Sequence, residues 1–329
     1  MLNRRMFNQL ILCALGGLSI VPNIGCHVKK STHEDSPLLP FPWKWSLAQW
    51  SLHRQIEDLS LPILDFAKVA SDMGFGGLEY VAQLYPNYLS QFSSRLSGMQ
   101  QLAVDLIKQS KAYDQENLIM MVDGEGDLAD PDVPSRLKAV LGHHKWIDLA
   151  AEIGAHSIRV NLFGEGGSVM MKDNSVKSLM SLAEYAAPLE INIIVENHGG
   201  LSSDPHWLVD VMKTVNMKNV GLLPDFGNFC LERQDGSRWG SPCIKQYPDP
   251  VGALELMMPY AHAVSSKSYA FDPSGNETTI DYPAMLQVIK QSGYSGYIGV
   301  EYEGSEPEMI GIQKTLALLQ KTAANLLNN

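Results

Sequence analysis

The sequence predicts an α/β protein of the (β/α)8 TIM-barrel class, and three observations carry that expectation. From Trp45 onward, short apolar runs alternate with helical periodicity about every 35 residues. Eight such runs can be counted. Several helical stretches end on Gly just ahead of the next run, as at Gly74, Gly154 and Gly293, where a left-handed turn ends a helix.

The first 26 residues read as an export signal. Asn3-Arg4-Arg5-Met6-Phe7 is a twin-arginine pattern, and the apolar run Leu10–Val21 that follows has the length of a signal-peptide core. It falls short of the roughly 20 residues that span a membrane. Gly25-Cys26 offers a lipoprotein cleavage site, which would make a lipid anchor at Cys26 the route to a membrane. An uncleaved anchor helix or a cut elsewhere is the alternative. Residues 27–42 are polar, contain Pro and lack periodicity, as a tether would. Residues 43–329 suit one barrel domain. The expected location is therefore outside the cytoplasm, periplasmic or tethered to a membrane.

Within the domain the expected strands are Trp45–Trp50, Gly77–Ala82, Leu118–Asp123, Ser157–Phe163, Asn192–Asn197, Val220–Pro224, His262–Lys267 and Tyr297–Glu301. Amphipathic stretches lie between them, among them Pro62–Met73, Arg136–Ile153, Val176–Leu189, Pro205–Val215 and Tyr282–Gln291. Strands covered on both faces should be nearly all apolar, as Ile191–Val195 nearly is. A doubly wound open sheet competes, but no Gly-rich phosphate loop follows the first strand. Two loops are long, Tyr85–Ser97 and Phe226–Pro250, and the second carries Trp239, Tyr247, Cys230 and Cys243. Loops at this end of barrel strands usually shape the substrate pocket. The two cysteines either pair in an oxidising compartment or remain separate thiols.

Formal charge is -11, from 25 Lys and Arg against 36 Asp and Glu, and loss of Arg4 and Arg5 with the signal would make it -13. Nucleic acid is excluded as a partner, since phosphate binding needs clustered cations.

The chemistry-bearing signal is positional. Glu196, Asp225 and Glu301 each close an apolar strand, in Ile-Ile-Val-Glu196, Leu-Leu-Pro-Asp225 and Ile-Gly-Val-Glu301. A buried carboxylate needs a cation or several donors. Barrel strands bring their carboxyl ends to one rim, so the three acids should share a pocket and a divalent cation, Mn, Mg, Co or Zn. The alternative is that each caps a helix or pairs with its own Arg or Lys. On the seventh strand Lys267 shares a face with Ser265 and is either a general acid or the partner of a rim carboxylate. His198, two residues past Glu196, and Asn161, alternating with Arg159 on the fourth strand, are expected to meet substrate, together with Asn228 and Glu79. His143 and His144 fall in a helix ahead of Trp146, where packing suits them better than catalysis.

With these residues in hand, Trp45 to Leu326 resembles the xylose-isomerase-like superfamily of sugar isomerases and epimerases. The motifs are Gly-Phe-Gly-Gly-Leu-Glu79-Tyr, Leu149-Ala-Ala-Glu-Ile-Gly-Ala155, Val-Glu196-Asn-His, Pro-Asp225-Phe-Gly-Asn and Gly-Tyr-Ile-Gly-Val-Glu301-Tyr-Glu-Gly. The resemblance implies a metal held by Glu, Asp, His and Glu, which maps Glu196, Asp225 and Glu301 onto three places. Ser265 stands where the family has His, and Asn228 where it often has another. Water or His262 would have to fill the gap. The implied chemistry is proton transfer through an enediolate of a keto- or aldo-sugar, with Glu196 and Glu301 as the acid–base pair. A lyase or hydratase on oxidised sugars or glycosides, or a non-catalytic sugar-binding lipoprotein, is the alternative.

Overall fold

A computed structural model describes residues 43–327; the twin-arginine segment, Cys26 and the proposed tether lie outside them. Among the described residues ten strands are formed: β1 (Lys44–Ala48), β2 (Gly77–Val81), β3 (Glu116–Met121), β4 (Ser157–Val160), β5 (Asn192–Glu196), β6 (Val220–Leu223), β7 (Cys230–Arg233), β8 (Cys243–Gln246), β9 (Val264–Ser268) and β10 (Tyr297–Tyr302). The helices are α1 (His53–Glu57), α2 (Phe66–Asp72), α3 (Pro86–Leu89), α4 (Arg95–Ala112), α5 (Val133–Ile153), α6 (Ser168–Ala186), α7 (Pro205–Val215), α8 (Pro250–Met257), α9 (Tyr282–Ser292) and α10 (Glu308–Leu327).

Eight of the strands form one parallel sheet in the order β6-β5-β4-β3-β2-β1-β10-β9, so the first and last strands of the domain are neighbours. The ring closes between β6 and β9 through bridges at Leu222–Ala261 and Asp225–Ser265. His262 N–H donates to Leu222 O at 2.9 Å, Ser265 N–H to Pro224 O at 2.9 Å, and Phe226 N–H to Ser265 O at 3.0 Å. Pro224 has no N–H to return, which thins the ladder at this joint. All eight expected strands are present, with Ser157–Phe163 shortened to Ser157–Val160.

Local chemistry accounts for the helix boundaries. Asp132, Asp204, Asp249 and Asp281 accept first-turn N–H groups of α5, α7, α8 and α9, and each of these helices has Pro in its first turn. Gly154 and Gly293 end α5 and α9 at φ 77° and 75°, as their positions in the sequence predict.

The apolar core lies between the outer strand faces and the helices, where Leu47, Tyr80, Ile158, Val195, Leu222 and Val300 are buried. The lumen differs from expectation. Its side chains are not nearly all apolar: Ser46, Glu79, Arg159, Glu196, Ser265, Lys267 and Glu301 are all buried. They tolerate burial because they meet each other across the ring, which an isolated polar group cannot do. Glu79 shows the geometry. It accepts from Ser46 Oγ at 2.6 Å, and a methyl on Gly299, two strands away, would lie 2.5 Å from its Oε1. Gly299 is thus the space that Glu79 occupies.

Outside the ring, β7 and β8 form an antiparallel hairpin within the long loop after β6. Cys230 and Cys243 are disulfide-bonded across it, which settles the alternative left open by their spacing.

Candidate active site

The strand ends bring Glu196, Asp225 and Glu301 together as expected. Each offers one carboxylate oxygen, and these three atoms lie within 4.8 Å of one another, all in buried side chains. The period of two explains the convergence: Glu196 ends β5, Asp225 follows β6, and Glu301 follows Gly299 on the inward face of β10.

Two cations sit among them. Lys267 on β9 places Nζ 3.3 Å from Glu301 Oε2, 3.9 Å from Asp225 Oδ2 and 3.0 Å from Glu303 Oε1. Arg159 on β4 places Nε 2.9 Å from Glu196 Oε2 and Nη1 2.7 Å from Asp123 Oδ1. The Nε hydrogen is not aimed at Glu196, so that contact is an ion pair and not an aligned hydrogen bond. The expectation of a shared pocket and the alternative of individual partners both describe part of the arrangement.

Other donors hold the acids in place. Asn228 Nδ2 donates to Glu196 Oε1 at 2.8 Å, and the N–H groups of Gly227 and Asn228 donate to Asp225 Oδ1, each at 2.8 Å. Ser265 Oγ lies 2.7 Å from Asp225 Oδ2 and 3.2 Å from Glu301 Oε2. Where the family pattern has His, this chain therefore has a hydroxyl between two carboxylates. Asn197 clamps the Asp225 peptide: its Oδ1 accepts the Asp225 N–H at 2.7 Å and its Nδ2 donates to Asp225 O at 3.0 Å.

Burial dominates the electrostatics. It raises Asp225 to about 6 and Glu301 to about 8 against the pull of Lys267, and raises Glu196 against Arg159 and Lys267. Burial also opposes the charge on Lys267, but Glu301, Glu303 and Asp225 outweigh it and hold the ammonium well above its usual range. Glu79 is raised to about 7 by burial and has one carboxylate oxygen, Oε2, with no partner.

Two of the four expected substrate contacts, His198 and Asn161, meet at the rim beyond β4 and β5. His198 Nδ1 is 2.9 Å from Asn161 Oδ1, while Asn161 Nδ2 donates to Asp123. An amide oxygen only accepts, so Nδ1 carries the proton and Nε2 is left as an acceptor. Burial, with Arg159 and Lys267 nearby, pushes His198 down to about 3 and keeps it neutral. Asn228 is engaged with Glu196, and Glu79 lies inside the lumen against Ser46. His262 does not fill the place of the family's histidine. Its ring packs on Gly221 ahead of β9, near His156, at the opposite end of the barrel. His143 is buried in α5 with Nδ1 2.7 Å from Ala139 O, consistent with packing, and His144 stacks on Tyr185.

Sequence reasoning missed Asp123, Glu303 and Asn197. Asp123 closes a strand run just as the three acids do, and Glu303 follows Glu301 by the inward period of two, so both carried a signal. Asn197 carried none.

The model of the xylose isomerase-like TIM barrel family matches residues 67–322. The chain belongs to that family. An uncharacterised protein of Methanocaldococcus jannaschii is 25% identical over 134 residues, a match spanning 39% of this chain and 43% of that protein, under half its length. Among solved structures, the IolI protein with a bound zinc atom matches with TM-score 0.61 and 16% identity, covering 87% of this chain and 98% of that one. The 3-keto-D-glucoside 4-epimerase YcjR of E. coli matches with TM-score 0.59 and 16% identity, covering 78% and 94%. The probable 3-DHS dehydratase AsbF of Bacillus anthracis matches with TM-score 0.61 and 17% identity, covering 84% and 98%. At such identities these likenesses establish the fold of this family member and leave its reaction to the site.

Proposed function

We propose that this chain is a sugar isomerase or epimerase that moves a proton at carbon through an enediolate, with Glu196 and Glu301 as its base and acid. The observation that carries the reading is the convergence of Glu196 and Glu301 on either side of Asp225, each with an oxygen within 4.8 Å of the others. Two carboxyl groups in unlike surroundings divide acid and base roles. Glu196, fixed by Arg159 and the Asn228 amide, is the carboxylate that takes the proton alpha to a carbonyl. Glu301, bonded to neutral Ser265 as well as Lys267, returns one from the other side.

The residues fit a hard divalent cation such as Mg²⁺ or Mn²⁺. Glu196, Asp225 and Glu301 would hold it with oxygen atoms alone, and Ser265 would contribute a neutral hydroxyl in place of imidazole. Such an ion, when bound, supplies Lewis-acid stabilisation of negative oxygen on the substrate. Lys267 brings positive charge to the same region from the protein itself. His198 Nε2 accepts a substrate hydroxyl, and Asn161 and Asp123 hold its ring in orientation. A neutral sugar is the substrate class that suits a rim of acceptors and amides. The Cys230–Cys243 bridge supports the exported location that the N-terminal sequence suggests.

Lyase or hydratase chemistry on a keto-sugar is the second reading, favoured by one observation. Lys267 Nζ, 3.0 Å from Glu303, is a fixed positive charge that would hydrogen-bond a departing β-hydroxyl. Incubating purified protein with Mn²⁺ and a panel of keto-sugars in D₂O tests both. Deuterium at an epimerised carbon with no other mass change supports the isomerase, and loss or gain of water supports the second reading. No exchange with any keto-sugar overturns both.

A further inference from the structure

The hairpin that follows β6 places an uncovered aromatic ring beside the chemistry. Trp239 is 49% exposed although its ring meets two others, Phe163 edge-on at 5.0 Å and His198 at 4.9 Å. His198 is the same ring whose Nδ1 is bound to Asn161, so Trp239 borders the rim of the acid cluster.

The ring is held from several directions. The Cys230–Cys243 disulfide ties the two hairpin strands. The hairpin backbone lies close over Gly199, where an added methyl would be 3.8 Å from Arg238 O. Arg238 bonds both oxygens of Asp127, from the loop after β3, and its guanidinium sits 4.7 Å over the Phe163 ring. Beyond Phe163 opens a cavity of about 630 Å³, lined by Phe163, Gly199 and Arg238 among others, and by neither Trp239 itself nor the three acids. That volume is within the roughly 300–1,000 Å³ of small-molecule sites. A preorganised, half-bare indole that packs on His198 at the reactive cluster and on Phe163 at the cavity wall is a surface for a ligand larger than the reacting ring.

The chemistry of the ligand follows from the surface. A pyranose presents polarised C–H groups on one face and hydroxyls at its edge. The negative face of an indole attracts the first, and Arg238 with the neighbouring backbone suits the second. We infer that Trp239 is a specificity-determining residue, forming with Phe163 a second subsite, so that the substrate is a glycoside whose reacting ring lies at Glu196 and Glu301 and whose attached sugar or aryl group lies against Trp239. This rests on the carbohydrate reading above and narrows its substrate class.

Binding is the test, because it does not depend on turnover. Calorimetry and ligand-observed NMR compare D-glucose, methyl β-D-glucoside, cellobiose and phenyl β-D-glucoside on the wild-type protein, Trp239→Phe and Trp239→Ala, with circular dichroism confirming an unchanged fold. Cellobiose and phenyl glucoside should bind roughly tenfold more tightly than glucose, the effect of one aromatic contact. Trp239→Ala should erase that preference without weakening glucose, and Trp239→Phe should keep most of it. Equal binding of one-ring and two-ring ligands, equal weakening of both by Trp239→Ala, or no binding at all overturns the inference. The two proposals fail separately. A glycoside preference without deuterium exchange removes the catalytic reading and keeps the subsite, whereas exchange without the preference does the reverse.

Discussion

Arg159 and Lys267 are both buried cations in the lumen, and they handle their carboxylates differently. Arg159 holds two acids, Asp123 and Glu196, on its own side of the ring, and Asn161 and Asn228 complete the set with amide donors. Lys267 is shared among three, Asp225, Glu301 and Glu303, at 3.0 to 3.9 Å, with only the Ser265 hydroxyl added between two of them. Guanidinium is a fixed planar fork and ammonium a point charge with three rotatable donors. One side is therefore fixed and the other adjustable. A proton acceptor benefits from the first environment, and a group that must give up and regain a proton benefits from the second.

The largest effect that would break this contrast is catalytic. Glu196→Gln and Glu301→Gln should each lower turnover on the order of a thousandfold or more with the fold intact by circular dichroism, because each removes a proton-transfer group. Solvent exchange should separate them: Glu196→Gln loses deuterium incorporation altogether. Incorporation at the wild-type rate in Glu196→Gln would cancel the assignment of base and acid.

The next effect concerns charge. Lys267→Met leaves two buried acids, Asp225 and Glu301, without their cation and should cost about 3–5 kcal/mol in urea unfolding. Millimolar Mn²⁺ should recover more Tm in this variant than in the wild type, since the ion then takes over the missing charge. Equal metal-induced shifts in the two proteins would show that Lys267 and a divalent ion do not share a role.

The smallest lies deeper in the lumen. Glu79 has its folded-state pKa raised to about 7 by burial, so the folded protein binds its proton more tightly than the unfolded chain does. The contribution is fully present below the unfolded value near 4.5 and is lost as pH rises through 7. Glu79→Gln, which mimics the protonated form, should match wild-type stability at pH 4.5 and exceed it by about 2–3 kcal/mol at pH 8. A constant difference between those two pH values would show that the fold does not raise the Glu79 pKa.

Much of this was legible in the sequence because two regularities carry it. Strand and helix periods located all eight ring strands, and an acid closing an apolar run marked Glu196, Asp225 and Glu301. The polar lumen was harder to read, since strands buried on both faces were expected to be apolar. Ser157-Ile-Arg159-Val160 alternates, and Ser265 and Lys267 share the inward face of β9, because inward side chains find partners on other strands, and pairing across a ring leaves no mark within one segment. Arg159 was visible as an inward residue, but its hold on Glu196 was not. The hairpin escaped notice as well. Its strands are short and largely exposed, and the disulfide and Arg238, not an apolar period, hold it in place.

The joint between β6 and β9 has a consequence for assembly. Asp225 and Ser265 are themselves one of the two bridges that close the ring, and Pro224 beside them withholds an amide. The register of this joint therefore also seats the central acid, and a slip of one residue between β6 and β9 would turn Ser265 and Lys267 out of the lumen.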